Sequence, residues 1–300
     1  MTMMTCMTRS FCARITALAF TAALITSCGG SPPSRLQPAI PSPSKGSIVP
    51  PKAPPAVAAE SAIVIDVVSG RVLFAKNADT QRAVASTQKI VTALCVLDAG
   101  NIDKPVTIQA IDEACEPTRL DVKPGDVYPR RELLKVLMVK SANDIARALA
   151  RDVGGNQESF ANLMNRKADS LGMRNSKFGN PNGLPMAGQY STARDMAIAA
   201  RAAYRSPLIR SFTATKSFNF KFNDGRTRLI ENTNHLLKSV PYCDGLKTGT
   251  TNAAGRCLVA SGSLNGRSVI VVVLKSNTPN VWKDATKLLG WALERPASGV

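Results

Sequence analysis

Apolar residues follow two periods along this chain, in three blocks. Ala62-Ile63-Val64-Ile65-Asp66-Val67, a Ser69-Gly70 turn, and Arg71-Val72-Leu73-Phe74 read as a β-hairpin. A long middle section then takes a helical period. Ser86 to Ala99 is closed by Gly100, and between Arg131 and Val139 residues Leu133, Leu134, Leu137 and Met138 fall on one side. Strand signals return near the end, where runs 216–222 and 226–231 flank Asn223-Asp224-Gly225, a hairpin turn. Runs 245–250, 256–261 and 268–274 follow, and then a helix from about Asn280 to Glu294. Strands at both ends with helices between them predict an α/β chain of the α+β type. One antiparallel sheet is built from both chain ends, with a helical region inserted.

Upstream of residue 61 the pattern is different. Arg9 and Arg14 precede ITALAFTAALI, too short to span a bilayer but suited to a signal-peptide core. Ile25-Thr26-Ser27-Cys28-Gly29 resembles a bacterial lipobox, which implies diacylation of the Cys28 thiol and cleavage before it; a plain secretory signal with an incidental cysteine is the alternative. The next stretch carries Pro32, Pro33, Pro38, Pro41, Pro43, Pro50, Pro51, Pro54 and Pro55 and reads as a spacer. Extended at ~3.1 Å per residue it reaches roughly 80 Å. The expected organisation is a lipoprotein signal peptide at 1–27, a lipidated cysteine with a proline-rich linker at 28–57, a folded domain at 58–295 and a tail at 296–300.

Composition narrows the chemistry. Thirty-eight basic against 21 acidic residues give a net charge of +17, spread along the chain with no Lys/Arg block and no nucleic-acid-binding signature. Anionic lipid head groups or an acidic envelope polymer are the expected partners of that surface, not nucleic acid. After Cys28 the cysteines are Cys95, Cys115, Cys243 and Cys257, without C-x-x-C or zinc-like spacing, so no metal and no cofactor is expected. Cys95, among Ala93, Leu94, Val96 and Leu97, reads as a buried filler. A Cys243–Cys257 disulfide is one of three pairings that four cysteines allow. The single histidine, His235, lies beside Leu236-Leu237 and reads as structural; no Gly-x-Ser-x-Gly elbow is present. A nucleophilic serine here needs another base.

ASTQKIVTAL, residues 85–94, offers one. Ser86 and Lys89 sit three residues apart at the front of a helix and share a face. Lys89 serves as a base only with its pKa depressed from about 10.4 by burial, by the helix N-terminus or by a second cation. The same spacing at Ser42 and Lys45 is interrupted by Pro43 and is set aside. Lys140-Ser141-Ala142-Asn143-Asp144 falls at a turn between helices, where Ser141 would otherwise serve as a cap. Lys247-Thr248-Gly249-Thr250 holds the one Lys-Thr-Gly of the chain, on a strand that puts Lys247 and Gly249 on one face. A glycine there permits close approach of another backbone.

Ser-x-x-Lys, then Ser-x-Asn, then Lys-Thr-Gly on a late strand is the motif order of penicillin-binding proteins and class A β-lactamases. The chain resembles the low-molecular-mass penicillin-binding proteins that are D-alanyl-D-alanine carboxypeptidases, from about Ser61 to Trp291, including GNPNGLP at 179–185, GQYSTARDMA at 188–197 and DGLKTGTTNAAGRCLVAS at 244–261. The resemblance implies a serine β-lactamase/DD-peptidase-like fold and a peptidoglycan stem-peptide substrate, with β-lactams as covalent inhibitors. It also implies Ser86 as nucleophile, Lys89 as base and Ser141 as proton relay. Asn143 would hold the peptide amide. Lys247, Thr248, Gly249 and Thr250 would form the wall that binds the terminal carboxylate, with Arg194 in support, and the backbone N–H groups of Ser86 and Thr250 would form the oxyanion hole.

A β-lactamase reading fails on order, because Glu116-Pro117-Thr118-Arg119-Leu120 precedes Ser141 where the lactamase glutamate follows it. A D,D-endopeptidase uses the same catalytic set and stays open. A non-catalytic peptidoglycan-binding lipoprotein predicts damaged motifs, and all three are intact. Relatives commonly continue into a β-rich domain and an amphipathic tail; with Cys28 and the spacer at the front, the membrane anchor is expected at the N-terminus, facing the periplasm or extracytoplasmic space.

Overall fold

Residues 53–115 and 118–294 are described by a computed structural model. The signal segment, Cys28, the Ser42–Lys45 spacing and Glu116 lie outside the described residues. The elements run β1 (Ser61–Asp66), β2 (Val72–Lys76), a 3-10 turn (Ala85–Gln88) leading into α1 (Lys89–Asp98), β3 (Pro105–Thr107), α2 (Ala110–Glu113), β4 (Val127–Pro129), α3 (Arg130–Val139), α4 (Asn143–Gly154) and α5 (Gln157–Leu171). They continue with α6 (Ala193–Tyr204), α7 (Pro207–Ala214), β5 (Ser217–Lys221), β6 (Thr227–Glu231), α8 (Leu236–Ser239), β7 (Cys243–Thr251), β8 (Gly255–Leu264), β9 (Arg267–Ser276) and α9 (Asn280–Leu293).

The main sheet has the order β2-β1-β9-β8-β7, antiparallel throughout. β1 hydrogen-bonds to β9, with Ile63 opposite Val272, so the two chain ends close one sheet as the sequence predicts. Both faces are covered. Ile63, Ile65, Val259, Ile270 and Val272 pack into the core beneath the inserted helices, while Ala62, Val64, Ala260, Val271 and Val273 pack on α9 through Val281, Ala285 and Leu288. Period-two alternation thus survives inside strands that read as unbroken apolar runs, because each side has its own core. α1 lies in the middle of the helical region, with every residue from Lys89 to Val96 buried. A helix enclosed in this way takes even its polar residues out of water.

The register excludes the Cys243–Cys257 disulfide. Cys243 pairs with Gly262 and Cys257 with Gly249, five positions from Gly262 along β8, roughly 17 Å at ~3.3 Å per residue. A disulfide tolerates Cα separations up to about 7 Å. All four cysteines of the described residues are free, and Cys95 is buried as expected of a filler.

Candidate active site

Ser86 sits where the chain turns from an extended segment into α1. Ala85 adopts φ +49°, a left-handed conformation rarely taken by a residue with a Cβ, and the 3-10 turn follows. One turn on, Lys89 is 0% exposed, because α1 runs through the core. Its Nζ donates to three acceptors: Ser86 Oγ at 2.8 Å, Asn143 Oδ1 at 2.8 Å and the Asn182 carbonyl at 2.6 Å. These match the three N–H donors of an ammonium. When the amine is neutral, one donor is replaced by a lone pair, and only the Ser86 hydroxyl can turn a proton toward it. The Asn143 amide oxygen and the Asn182 carbonyl are acceptors only.

Electrostatics favour that neutral form. Burial drives the Lys89 pKa well below the usual 10.5, and the positive charge of Lys247 lowers it further. Lys247, 1% exposed on β7, is itself brought down to about 7 by burial. Its Nζ donates to the Thr248 carbonyl at 3.1 Å.

Gly249 explains how β7 reaches Ser86. A Cβ placed there would lie 2.9 Å from the amide nitrogens of both Ser86 and Thr87. The edge strand therefore touches the 3-10 turn backbone to backbone. On either side of Gly249, Thr248 Oγ1 shares a 2.6 Å hydrogen bond with Thr233 Oγ1, and Thr250 Oγ1 accepts from Arg256 Nη1 at 3.1 Å. Ser86, Ser141, Asn143, Thr248, Gly249 and Thr250 line one cleft of about 370 Å³.

The opposite wall is held by a buried carboxylate. Ser141 has φ +69° in the α3–α4 turn, and Asn143 opens α4 with its N–H donated to the Thr118 carbonyl at 2.7 Å. Asp144 accepts the N–H groups of Leu120, Asp121 and Ile145 at 2.9 to 3.0 Å, tying the 118–121 segment to the head of α4. Desolvation raises its pKa.

Arg194 is the correction among the predicted site residues. Its Nε and Nη2 bind Asp79 at 2.6 and 2.9 Å near the start of α6, and it lines a different groove, with Ile63, Val72 and Arg201. A nearby acid satisfies it, so it offers nothing to a carboxylate in the cleft. Three contributors were not identified from sequence. The Asn182 carbonyl anchors Lys89. Gly183, at φ +83°, passes so close to the Ala85 carbonyl that a side chain would overlap it. Both lie in GNPNGLP, where the Asn182-Gly183 pair between two prolines was the available signal. Arg256 was quoted within DGLKTGTTNAAGRCLVAS without a role. His235 lies in the cleft wall, its ring stacked on Trp282 at 4.7 Å and 15°.

A serine hydrogen-bonded to a buried lysine, faced by Ser-x-Asn and by a Lys-Thr-Gly edge strand, defines an active-serine acyl-transfer enzyme of the penicillin-binding type. The comparisons are more specific. The chain belongs to the D-alanyl-D-alanine carboxypeptidase family, whose profile matches residues 49–278. It is 35% identical over 243 residues to a D-alanyl-D-alanine carboxypeptidase of Bacillus subtilis, covering 79% of this chain and 62% of that one. A D-alanyl-D-alanine endopeptidase of Pseudomonas aeruginosa is 35% identical over 241 residues, 78% of this chain and 77% of its own. The solved D-alanyl-D-alanine carboxypeptidase of Mycobacterium tuberculosis superposes with a TM-score of 0.79 at 32% identity, covering 83% of this chain and 96% of that one.

Proposed function

We propose that the protein is a serine D-alanyl-D-alanine carboxypeptidase that removes the terminal D-alanine of peptidoglycan stem peptides through an acyl-enzyme on Ser86. The observation that carries this reading is Lys89 Nζ, fully buried and 2.8 Å from Ser86 Oγ. Neutral Lys89 takes the hydroxyl proton as Ser86 Oγ attacks the carbonyl between the two D-alanines. The negative oxygen is received by the N–H groups of Ser86 and Thr250, a reading supported by the close approach of Gly249 to the Ser86 amide. Lys89, now an ammonium, passes its proton by way of Ser141 to the departing amine. Water then attacks the ester as Lys89 again acts as base, and the shortened stem is released. Asn143 orients the substrate amide while its Oδ1 holds Lys89. Lys247, Thr248 and Thr250 receive the substrate carboxylate, whose negative charge restores the proton of Lys247 and so helps to keep Lys89 neutral.

The same chemistry acylates Ser86 with β-lactams, whose strained amide replaces the scissile peptide. The setting we infer is extracytoplasmic, with 58–295 as the catalytic domain and a lipid on Cys28 as anchor. The endopeptidase reading is supported by the named relative in Pseudomonas and by an identical requirement for Ser86 and Lys89. Mass spectrometry of products from pentapeptide and from cross-linked dimer, with a Ser86→Ala control, decides between them. Ser86-dependent loss of one D-alanine from the pentapeptide is expected; cleavage of the dimer alone makes the protein an endopeptidase. No Ser86-dependent product from folded protein refutes both and returns the chain to a binding role.

A further inference from the structure

The two ends of the main sheet present different surfaces. At one end lies the cleft, where Thr250 pairs with Arg256 and Arg256 with Ser276, and Val281 and Trp282 at the head of α9 complete the wall. The other end is built from the β1–β2 turn and the last turns of α6 and α9. Ile65 pairs with Val72 and Asp66 with Val269. Gly262, also opposite Val269, lies so near the end of α9 that a Cβ there would stand 3.3 and 3.4 Å from Leu289 and Leu293. Trp282 at the cleft and Trp291 at this second end are roughly 14 Å apart along α9, at ~1.5 Å per residue. The described chain begins at the second end as well, with Ala53 and Pro55 beside Gly290 and Trp291, and then runs along β2, where Lys76 Nζ donates to the Val57 carbonyl at 2.9 Å.

This second end is basic, and apolar side chains stand open on it. Arg201 Nε and Nη2 donate to the Val67 and Val68 carbonyls at 2.7 and 2.6 Å, which fastens α6 to the turn through carbonyls and spends no carboxylate on the guanidinium. Arg205, one helical turn on and exposed at the C-cap of α6, shares that face. The acids nearby are engaged: Asp66 accepts from Ser69 and faces Arg267 at 3.9 Å, Asp244 accepts from Tyr204 and Ser261, and Glu294 sits with Ala53 and Pro55. Val68 is 79% exposed and Val72 40%, on either side of Gly70. Between β2 and α6 runs a groove of about 360 Å³, lined by Ile63, Ile65 and Ile198 and by both arginines.

We infer that this end of the domain docks on an anionic lipid bilayer, with Arg201 and Arg205 against the lipid phosphates and Val68 and Val72 in the head-group layer, so that the cleft points away from the membrane. Cations beside exposed apolar side chains are the combination that an anionic membrane surface binds: the charges draw the domain to the phosphates and the valines leave water on contact. The groove does not suit the chain's own N-terminal segment, which carries Arg35, Lys45 and Lys52 and has no Asp or Glu before Glu60, so that like charges would meet. A soluble polyanion would satisfy the arginines but not the valines. A chain tethered through residue 53 is held by this same end. The inference goes beyond the proposed peptidase activity and does not depend on it.

The test is co-sedimentation of the full chain with vesicles of phosphatidylcholine, alone or mixed with phosphatidylglycerol. It compares wild type with Arg205→Gln, the double variant Arg201→Gln/Arg205→Gln, Val68→Ser, and a control, Lys216→Gln/Lys221→Gln, on the β5–β6 hairpin. The N-terminal segment is the same in all of them, so differences report the folded surface. On phosphatidylglycerol vesicles Arg205→Gln should bind about fivefold more weakly and the double variant about twenty-five-fold, at about fivefold per charge. Arg205 is exposed, so its single variant still reads the surface if loss of the Arg201 hydrogen bonds loosens the turn. Val68→Ser should lose about three- to tenfold, the scale of withdrawing part of a valine side chain from water. The control removes as much charge as the double variant and should stay within about twofold of wild type, because surface attraction acts on the cations nearest the bilayer. Equal losses in the control and the double variant, or no loss at Arg205, overturn the inference. Val68→Ser binding like wild type, with soluble polyphosphate displacing both equally from the vesicles, would make this end a polyanion site and overturn the lipid.

Discussion

Gly249→Ala isolates the contact that joins the edge strand to Ser86, the proposed nucleophile. The added Cβ would stand 2.9 Å from the nitrogens of Ser86 and Thr87 and 3.0 Å from the Val84 carbonyl oxygen, where ordinary contact begins near 3.4 Å. All three are backbone atoms of the segment that presents Ser86, so no side chain can rotate out of the way. The strand and the turn must separate by about 0.5 Å, the difference between those distances. Overpacking of this kind costs about 1–3 kcal/mol of stability. A misplacement of 1 Å at a reacting centre costs about a hundredfold in rate, so half that displacement is expected to cost about tenfold. The assay is the acylation rate of Ser86 by a fluorescent penicillin, with Ser86→Ala as blank and thermal unfolding in parallel. Acylation within about twofold of wild type would refute the argument, because it would mean the two backbones can part without moving Ser86 from the proposed oxyanion donors.

Three further outcomes follow from the same geometry. Lys247 has a folded-state pKa of about 7 against 10.5 for a free lysine, so between those values the unfolded chain binds more protons and stability rises with pH. Lys247→Met should therefore raise Tm more at pH 7 than at pH 9 while its acylation limb moves to higher pH, since Lys89 loses the neighbouring charge that depresses it; equal Tm shifts at both pH values contradict the buried ammonium. Asp144→Ala leaves the amides of Leu120, Asp121 and Ile145 without their shared acceptor and should cost on the order of 3 kcal/mol in urea unfolding, and a loss under about 1 kcal/mol would show that the 118–121 segment is held otherwise. Alkylation of residues 53–294 in denaturant without reductant should label all four cysteines; a product that lacks labels at both Cys243 and Cys257 by peptide mapping would mean that the β7–β8 register is wrong.

Where the sequence was legible, the reason is local. The runs at 62–67 and 268–274 are rich in β-branched and apolar residues that are strands wherever they pair, and Asn223-Asp224-Gly225 sets its hairpin through turn chemistry alone. Ser86 and Lys89 were readable because a single helical turn dictates their contact. Arg194 was misplaced for the opposite reason: its partner, Asp79, is 115 residues away, and no local pattern marks which acid a surface arginine will meet. The cysteine pair was left open because the β7–β8 register depends on the whole sheet.

The least legible contributions are those made by the backbone. Lys89 is held by the carbonyl of Asn182, a group every residue possesses, and Gly183 and Gly249 matter only because two separate segments pass within van der Waals reach of the same turn. The sequence can show that a glycine is present, but it cannot show what passes beside it. The consequence is that the turn at Val84 to Thr87 is confined from two sides, by Gly183 against Ala85 and by Gly249 against Ser86. A lysine desolvated in the core can serve as base only if its serine stays within hydrogen-bond reach, and the turn that carries Ser86 has no room to move away. Burial of Lys89 and confinement of Ser86 are thus two results of the same packing, in which α1 runs through the helical core and β7 closes the sheet against its head.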